Sequence, residues 1–164
     1  MCGIVGYVGK NQAPSILIDG LGKLEYRGYD SAGIAVFDGN EINIAKTKGR
    51  LSNLIKLLLE NPLSGTIGIG HTRWATHGAP SDLNAHPHFN KDHSIVVVHN
   101  GIIENYQELR EKLIKKGYSF YSDTDTEVAV KLVHYYYKNY VQNPIDALAR
   151  AMTRIRGTYA LAFM

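Results

Sequence analysis

Apolar side chains recur along this chain with two spacings, which separate helices from strands. Repeats of three and four residues predict helices, whereas short continuous apolar runs bounded by glycine or polar residues predict buried strands. The predicted helices cover residues 14–25, a segment containing 51–59, and residues 102–116, 124–137 and 144–154. The predicted strands cover residues 3–9, 32–37, 41–46, 66–73, 94–101 and 156–164.

Turn and capping residues stand where these elements would begin and end. Residues 38–40, with the sequence Asp-Gly-Asn, separate two strands and predict an antiparallel hairpin. Thr124 and Glu127 have the spacing of a capping box, and Gly117 would stop the preceding helix. The mixed order of elements predicts an α/β or α+β domain whose sheets are covered by helices.

Length and composition set the scale of this domain. The chain has 164 residues, of which 45% are hydrophobic, enough to build one globular domain with its own core. The last predicted strand reaches Met164 without a turn or a polar tail. We therefore expect the native domain to continue beyond residue 164 and this part of it to be incomplete.

Charge and cysteine content limit which partners the protein is expected to bind and which cell compartment suits it. Eighteen Lys and Arg against 15 Asp and Glu give a net charge of +3, spread along the chain, which does not favour nucleic acid or a membrane as partner. The amino terminus has no positively charged leader region, and no apolar run is long enough to span a bilayer. A single cysteine excludes an internal disulfide, so we expect a cytoplasmic protein whose thiol stays reduced.

That single cysteine is Cys2, directly after the initiator Met1. A small second residue permits removal of Met1, which would give Cys2 a free α-amine. The α-amine has an ordinary pKa of about 7.7 to 8.0, close enough to that of a thiol, about 8.5, to act as its base. The alternative is a small buried packing residue, which is the common role of a free cysteine.

Residues 71–78, HTRWATHG, place an arginine and a tryptophan at the end of a predicted strand. Arg73 has the geometry to clamp a carboxylate through two charge-assisted hydrogen bonds, although a surface arginine is the simpler alternative. Trp74 suits either a cover over a ligand or the core. The segment is a candidate ligand-binding loop.

Four histidines near this loop suggest a metal site only weakly. The spacing of His71, His77, His86 and His88 matches no zinc pattern, and no second cysteine supports one. Histidines satisfied by hydrogen bonds are the better interpretation. We therefore expect no metal site here.

Two further segments carry polar residues at the ends of predicted elements. Asn100 and Gly101 stand at the end of an apolar strand, where a side-chain amide and an unobstructed backbone N–H could both donate to a developing oxyanion. The alternative is an ordinary Asn-Gly turn, after which Ile102 would begin a helix. Asp123 and Asp125 begin the predicted 124–137 helix. One of them could cap the helix, and the other could hold a substrate ammonium group.

Taken together, these motifs resemble the glutaminase domain of glutamine:fructose-6-phosphate aminotransferases, which are class II glutamine amidotransferases and amino-terminal-nucleophile hydrolases. The resemblance runs through essentially all 164 residues. MCGIVG is shared by class II glutaminases generally. The more specific motifs are LEYRGYDSAG, HTRWATHG, NAHPH, VHNGIIEN and SDTDTEV.

The resemblance implies a fold and a reaction. The expected fold is α+β, a four-layer αββα sandwich. Cys2 would be the nucleophile with its own amine as base, and Asn100 with the Gly101 N–H would form the oxyanion hole. A γ-glutamyl thioester would form with release of ammonia, and water would then release glutamate.

The resemblance also implies a substrate site and partners. L-glutamine would be held at its two ends by Arg73 and Asp125, with Thr76 and His77 lining the pocket and Trp74 closing it or gating ammonia. The full enzyme is expected to be a homodimer, whose sugar isomerase domains use fructose 6-phosphate. Those domains are absent from residues 1–164.

Three alternatives stay open at this point. A glutaminase domain of another class II enzyme, such as a phosphoribosyl amidotransferase, would share Cys2 and the region of residues 28–33 but differ at 71–78. An inactive glutamine-binding or interaction fragment is expected if Met1 stays attached, since a peptide bond would remove the base. A metal-dependent hydrolase is the third.

Overall fold

The computed structural model describes residues 2–164; the predicted removal of Met1 lies outside the described residues. Strands and helices alternate in a mixed order, as the apolar spacing predicts. The strands are β1 Gly3–Val8, β2 Ser31–Phe37, β3 Ile42–Lys48, β4 Ile67–Arg73, β5 His88–Phe89, β6 Val96–Ile103 and β7 Gly157–Phe163. The helices are α1 Ala13–Leu24, α2 Leu51–Glu60, α3 Tyr106–Lys115, α4 Asp125–Asn139 and α5 Pro144–Met152.

The strands form two antiparallel sheets. The first has the order β1-β4-β2-β3, and the second has the order β5-β6-β7. The predicted hairpin is confirmed, because β2 and β3 pair from Ser31 with Lys48 to Phe37 with Ile42. Its turn is closed by Asp38, whose side chain accepts hydrogen bonds from the backbone N–H groups of Asn40 and Glu41.

Four layers follow from the alternation of side chains across each strand. Ile34 and Val36 of β2 face α1 and α2, where they join Leu17, Leu21 and Leu54 in one apolar cluster. Ala35, between them in sequence, points the other way and packs with Ile69, Val96 and Val98 between the two sheets. A third cluster joins Ile103 to α3, α4 and α5. The layers are therefore helix, sheet, sheet, helix, the predicted αββα order.

The first residues of two helices test the capping signals that the sequence contains. Asn143 caps α5 by accepting from the N–H groups of Ile145 and Asp146. Thr124 caps α4 through the N–H of Glu127, but the Glu127 carboxylate reaches back past Thr124 to the N–H groups of Tyr121 and Ser122. The capping box is thus confirmed in position and altered in its second bond.

Two predicted elements need correction. Residues 102–105 are not helical: β6 continues through Ile103, because β7 pairs with it from Val97 to Ile103, and α3 begins only at Tyr106. The first strand is not fully buried either. β1 lies at the edge of its sheet, and Val8 is exposed. Helices within the described residues are all too short or too polar to cross a membrane.

Candidate active site

The candidate site lies at one end of the space between the two sheets. Alternation places Ile69, His71 and Arg73 of β4 on the face toward the second sheet. On the facing strand β6, Val96 and Val98 lie in the same apolar layer, and Asn100 follows them. The layer between the sheets thus changes from apolar to polar along both strands. A cavity of about 590 Å³ opens at the polar end.

Cys2 enters this cavity from the start of β1. Its thiol sulfur accepts a hydrogen bond from the backbone N–H of Trp74 at 3.1 Å, and lies 3.5 Å from the Trp74 carbonyl oxygen. Burial raises the pKa of the Cys2 thiol, and the bond from Trp74 opposes that shift only in part. The thiol therefore needs a base to become nucleophilic near neutral pH.

Asn100 and Gly101 lie on the opposite wall. The Asn100 Nδ2 donates a hydrogen bond to the backbone carbonyl oxygen of Cys2 at 3.1 Å, so the amide lies next to the residue that carries the thiol. Gly101 has a φ of +115°, and a Cβ there would come within 2.1 Å of the Thr158 carbonyl oxygen. Only glycine fits this backbone, so Asn-Gly acts within a strand here and not as a turn.

Arg73 is buried, 3% exposed, and organises the loop that follows it. Its Nη2 donates to the carbonyl oxygens of His77 and Gly78. Its Nη1 lies 3.8 Å from Asp30 and, within residues 2–164, has no hydrogen-bond partner. The guanidinium thus lines the cavity with its positive charge, and in the described chain Nη1 lies at ion-pair distance from Asp30 without a hydrogen bond.

The rest of the loop lines the mouth of the cavity. Trp74 is 49% exposed, with its ring edge-on to Tyr29 at 5.5 Å, so it is not a core residue. Thr76 is exposed, and His77 stands edge-on to Tyr106 at 5.1 Å. These side chains line the opening of the cavity instead of packing in one of the apolar clusters.

Asp125 reaches the cavity from the first turn of α4. One carboxylate oxygen accepts from the backbone N–H of Ile103 at 2.8 Å, and the other lies 3.4 Å from the Thr126 hydroxyl and 3.9 Å from His99 Nδ1. Asp123, in contrast, bonds to Asn84 near the loop and is not among the residues that line the cavity. Of the two predicted carboxylates, only Asp125 lies at the site.

Four buried histidines form a cluster at the wall of the cavity; sequence spacing groups three of them, His71, His86 and His88, and misses His99. His71 stacks on His86 at 4.1 Å, and His86 lies beside both His88 and His99. Burial lowers the pKa of each, to about 4 for His71. They bond to neighbouring hydroxyl, carbonyl and amide groups, including Thr126, Thr124 and Tyr121. No group of His, Cys, Asp and Glu in the described chain is arranged to hold a metal ion.

Asp30 belongs to the motif LEYRGYDSAG, which by itself assigns it no role at the site. Its carboxylate accepts from the backbone N–H of Ala75 and from the Ser31 hydroxyl, beside Arg73. Its backbone N–H donates to the Arg73 carbonyl oxygen. It therefore anchors the start of the loop that covers the cavity. A lone aspartate after Tyr29 carries no sequence signal for this role.

Comparisons with known proteins agree with one another. The family model described as "Glutamine amidotransferase domain" matches residues 71–164. The chain is 62% identical over its full length to a glutamine–fructose-6-phosphate aminotransferase (isomerizing) of Clostridium acetobutylicum, and 53% identical over 98% of its length to one of Thermus thermophilus. It spans 26% of the length of each relative.

Solved structures extend the likeness to the fold. A glutamine phosphoribosylpyrophosphate amidotransferase from B. subtilis superposes with a TM-score of 0.86 at 27% identity, covering all of this chain and 35% of that one. A class-II glutamine aminotransferase domain protein from Silicibacter pomeroyi gives a TM-score of 0.60 at 19% identity, over all of this chain and 72% of that one, and shows the fold alone.

Proposed function

Because the chain belongs to the glutamine amidotransferase domain family, we propose that it hydrolyses the side-chain amide of glutamine with Cys2 as the nucleophile. One observation carries the proposal. The thiol of Cys2, the amide of Asn100 and the guanidinium of Arg73 meet at one cavity, although 98 residues separate the first two.

The reaction begins at the Cys2 sulfur. After removal of Met1, the α-amine of Cys2 takes the thiol proton, and the sulfur attacks the amide carbon of glutamine. The tetrahedral intermediate collapses when its nitrogen takes that proton and leaves as ammonia. Water then attacks the thioester carbon, which releases glutamate and returns a proton to the sulfur. These steps are proposed to need no metal and no organic cofactor.

Asn100 and Gly101 stabilise the intermediate. The Nδ2 of Asn100 carries two hydrogens, and only one is used in the bond to the Cys2 carbonyl. The second, together with the Gly101 N–H, is proposed to donate to the oxygen that becomes negative as the sulfur attacks. Such donors act where charge develops, and one of them contributes about 10²- to 10³-fold in rate.

The two ends of glutamine would meet groups of opposite charge. The guanidinium of Arg73 is proposed to bind the α-carboxylate, and Asp125 the α-ammonium. Thr76 and His77 would line the pocket, and Trp74, half exposed at the mouth, would close over the ligand or gate ammonia. The pairing of a cation with an anion selects a zwitterion over a simple amide.

For the whole protein we propose transfer of the ammonia to fructose 6-phosphate, giving glucosamine 6-phosphate. The relatives of 51–62% identity are named glutamine–fructose-6-phosphate aminotransferases, whereas the phosphoribosylpyrophosphate amidotransferase from B. subtilis is 27% identical. A sugar isomerase part outside residues 1–164 would carry it out. The whole protein is proposed to be a cytoplasmic homodimer, in a compartment where Cys2 stays reduced.

Intact-mass spectrometry with a diazo-ketone analogue of glutamine tests the proposal first. We expect loss of Met1 and one adduct on Cys2, which excess glutamine prevents. Glutamate release should also disappear in Cys2→Ala. Glutamate release that survives in Cys2→Ala would refute the assignment. Heat of glutamine binding without release of glutamate would instead identify an inactive binding fragment.

A further inference from the structure

His71 lies 2.9 Å from two oxygen atoms that meet at its Nε2. One is the backbone carbonyl oxygen of His99, and the other is Oδ1 of Asn100. The ring is 1% exposed, so water does not compete for these contacts. His71 therefore contacts the side chain that supplies the proposed oxyanion donor, and it does so from the side away from Cys2.

The partners determine which ring nitrogen carries the proton. A carbonyl oxygen only accepts hydrogen bonds, so Nε2 must be protonated to contact His99 at 2.9 Å. Nδ1 is buried and, in the described chain, has no hydrogen-bond partner. An unprotonated Nδ1 leaves a bare lone pair there, which costs less than a buried N–H without an acceptor. His71 is thus the neutral Nε2–H tautomer.

This tautomer selects one of the two orientations of the Asn100 amide. The Nε2–H of His71 requires an oxygen opposite it, and the Cys2 carbonyl on the other side requires an N–H. Rotating the amide by half a turn would set donor against donor at His71 and acceptor against acceptor at Cys2. Both contacts therefore direct the NH₂ group of Asn100 toward the nucleophile.

The ring of His71 is itself held in place. It stacks on His86 at 4.1 Å with 17° between the ring planes, and His86 Nδ1 accepts from the backbone N–H of His99 at 3.3 Å. The same stretch of β6 thus contacts both histidines. A stacked, buried ring has little freedom to rotate, so its N–H stays aimed at Asn100.

We infer that His71 is a positioning residue for glutamine hydrolysis: its Nε2–H fixes the amide of Asn100 so that an N–H points at the developing oxyanion. The inference rests on the proposed function for its catalytic meaning. His71 takes no proton from the substrate and touches no reacting atom. It acts only through Asn100, so a double-mutant cycle with Asn100 can distinguish positioning from a general structural role.

The experiment is a double-mutant cycle between His71 and Asn100, in the chain with Met1 removed. His71→Phe keeps a ring but loses the donor, and should lower kcat about 3- to 10-fold with KM within about twofold, as expected for one lost hydrogen bond. His71→Gln places an N–H at similar reach and should recover most of this loss. In Asn100→Ala, His71→Phe should have no further effect on kcat.

Two controls separate the outcomes. His88→Phe removes another buried histidine ring that does not contact Asn100, and should lower stability while kcat of the folded protein stays near that of the parent. Equal losses of kcat from His71→Phe in the parent and in Asn100→Ala would overturn the inference, because they would show a general structural effect.

The tautomer supplies a readout that does not depend on activity. Long-range ¹H–¹⁵N correlation spectra should show His71 as the neutral Nε2–H form, and the Nδ1–H form would overturn the inference even in an active protein. Absence of glutamate release from the parent chain, with the Nε2–H form intact, would instead contradict the proposed function and leave the positioning geometry standing.

Discussion

The two ends of the space between the sheets are built from the same two strands and differ in what they bury. At one end Ile69 of β4 faces Val96 and Val98 of β6, and these side chains pack by shape and area alone. Two residues further along each strand, His71 meets Asn100 through directed hydrogen bonds. Ile69 and His71 are both buried, but only the second end specifies the orientation of single atoms.

The difference teaches how this fold separates stability from chemistry. Apolar burial is favourable in many arrangements, and it tolerates exchange of similar side chains. A buried polar group is favourable only when each donor meets an acceptor, so its geometry is strict. We therefore expect changes at the apolar end to alter stability, and changes at the polar end to alter activity and the response to pH.

Acidification should have the largest effect, a loss of stability that comes from the buried histidines at the polar end. The pKa values of His71, His86, His88 and His99 lie below their ordinary value in the folded chain because of burial. The unfolded chain takes up protons first, so stability is full above about pH 6.5 and falls as the pH drops, for His71 until its folded pKa of about 4. Each histidine removes up to about 1.4 kcal/mol per pH unit.

Urea unfolding at pH values from 7.5 to 5 measures this dependence. His88→Phe removes one titrating ring and should reduce the slope by the share of one histidine. A free energy of unfolding that stays constant between pH 7 and 5 would show that the four histidines are protonated equally in the folded and unfolded chains, contrary to their burial.

Ile69→Ala should lower the stability of the apolar end of the space between the sheets. Removing most of a buried isoleucine costs about 2 to 5 kcal/mol, while Ile69→Val costs about 0.5 to 1.5 kcal/mol. Glutamine hydrolysis by the fraction that stays folded should not change. Denaturant melts give the stability, and kcat measured at low temperature gives the activity; a large fall in kcat of folded Ile69→Val would contradict the separation of the two ends.

Asn100→Ala should break the polar end. We expect kcat to fall about 10²- to 10³-fold, equivalent to about 2.7 to 4 kcal/mol in the barrier, with a much smaller change in stability. Steady-state release of glutamate measures it. The matched control is Asn43→Ala, which removes a partly buried asparagine bonded to Asp38 in the β2–β3 hairpin, outside the residues that line the cavity. An equal loss there would exclude a specific role for Asn100.

Thr124→Ala gives the smallest and most local effect. It removes the cap of α4 and the contact of the Thr124 hydroxyl with His88 Nε2 at 3.0 Å. Loss of a helix cap costs about 1 kcal/mol. Thr124→Ser keeps the hydroxyl and should restore stability in thermal melts. Equal melting temperatures for the Ala and Ser variants would show that the cap contributes nothing.

The sequence by itself determined the elements whose signals are local. Apolar spacing located α1 and α2, three turn residues located the β2–β3 hairpin, and Asn143 with Pro144 located the start of α5. It also singled out Cys2 as the proposed nucleophile, because the position of Cys2 next to the initiator methionine is a property of the chain alone. These signals act between residues a few positions apart, so the printed sequence contains both partners.

Only the tertiary structure decided the end of β6, the contacts of Arg73 and the histidine cluster. Ile102 and Ile103 suit a helix by spacing, but β7, more than 50 residues later, pairs with them as strand. The partners of His71 and of the Asn100 amide lie 28 to 98 residues away along the chain. A hydrogen bond depends on distance and direction in space, and residue spacing carries neither across such a separation.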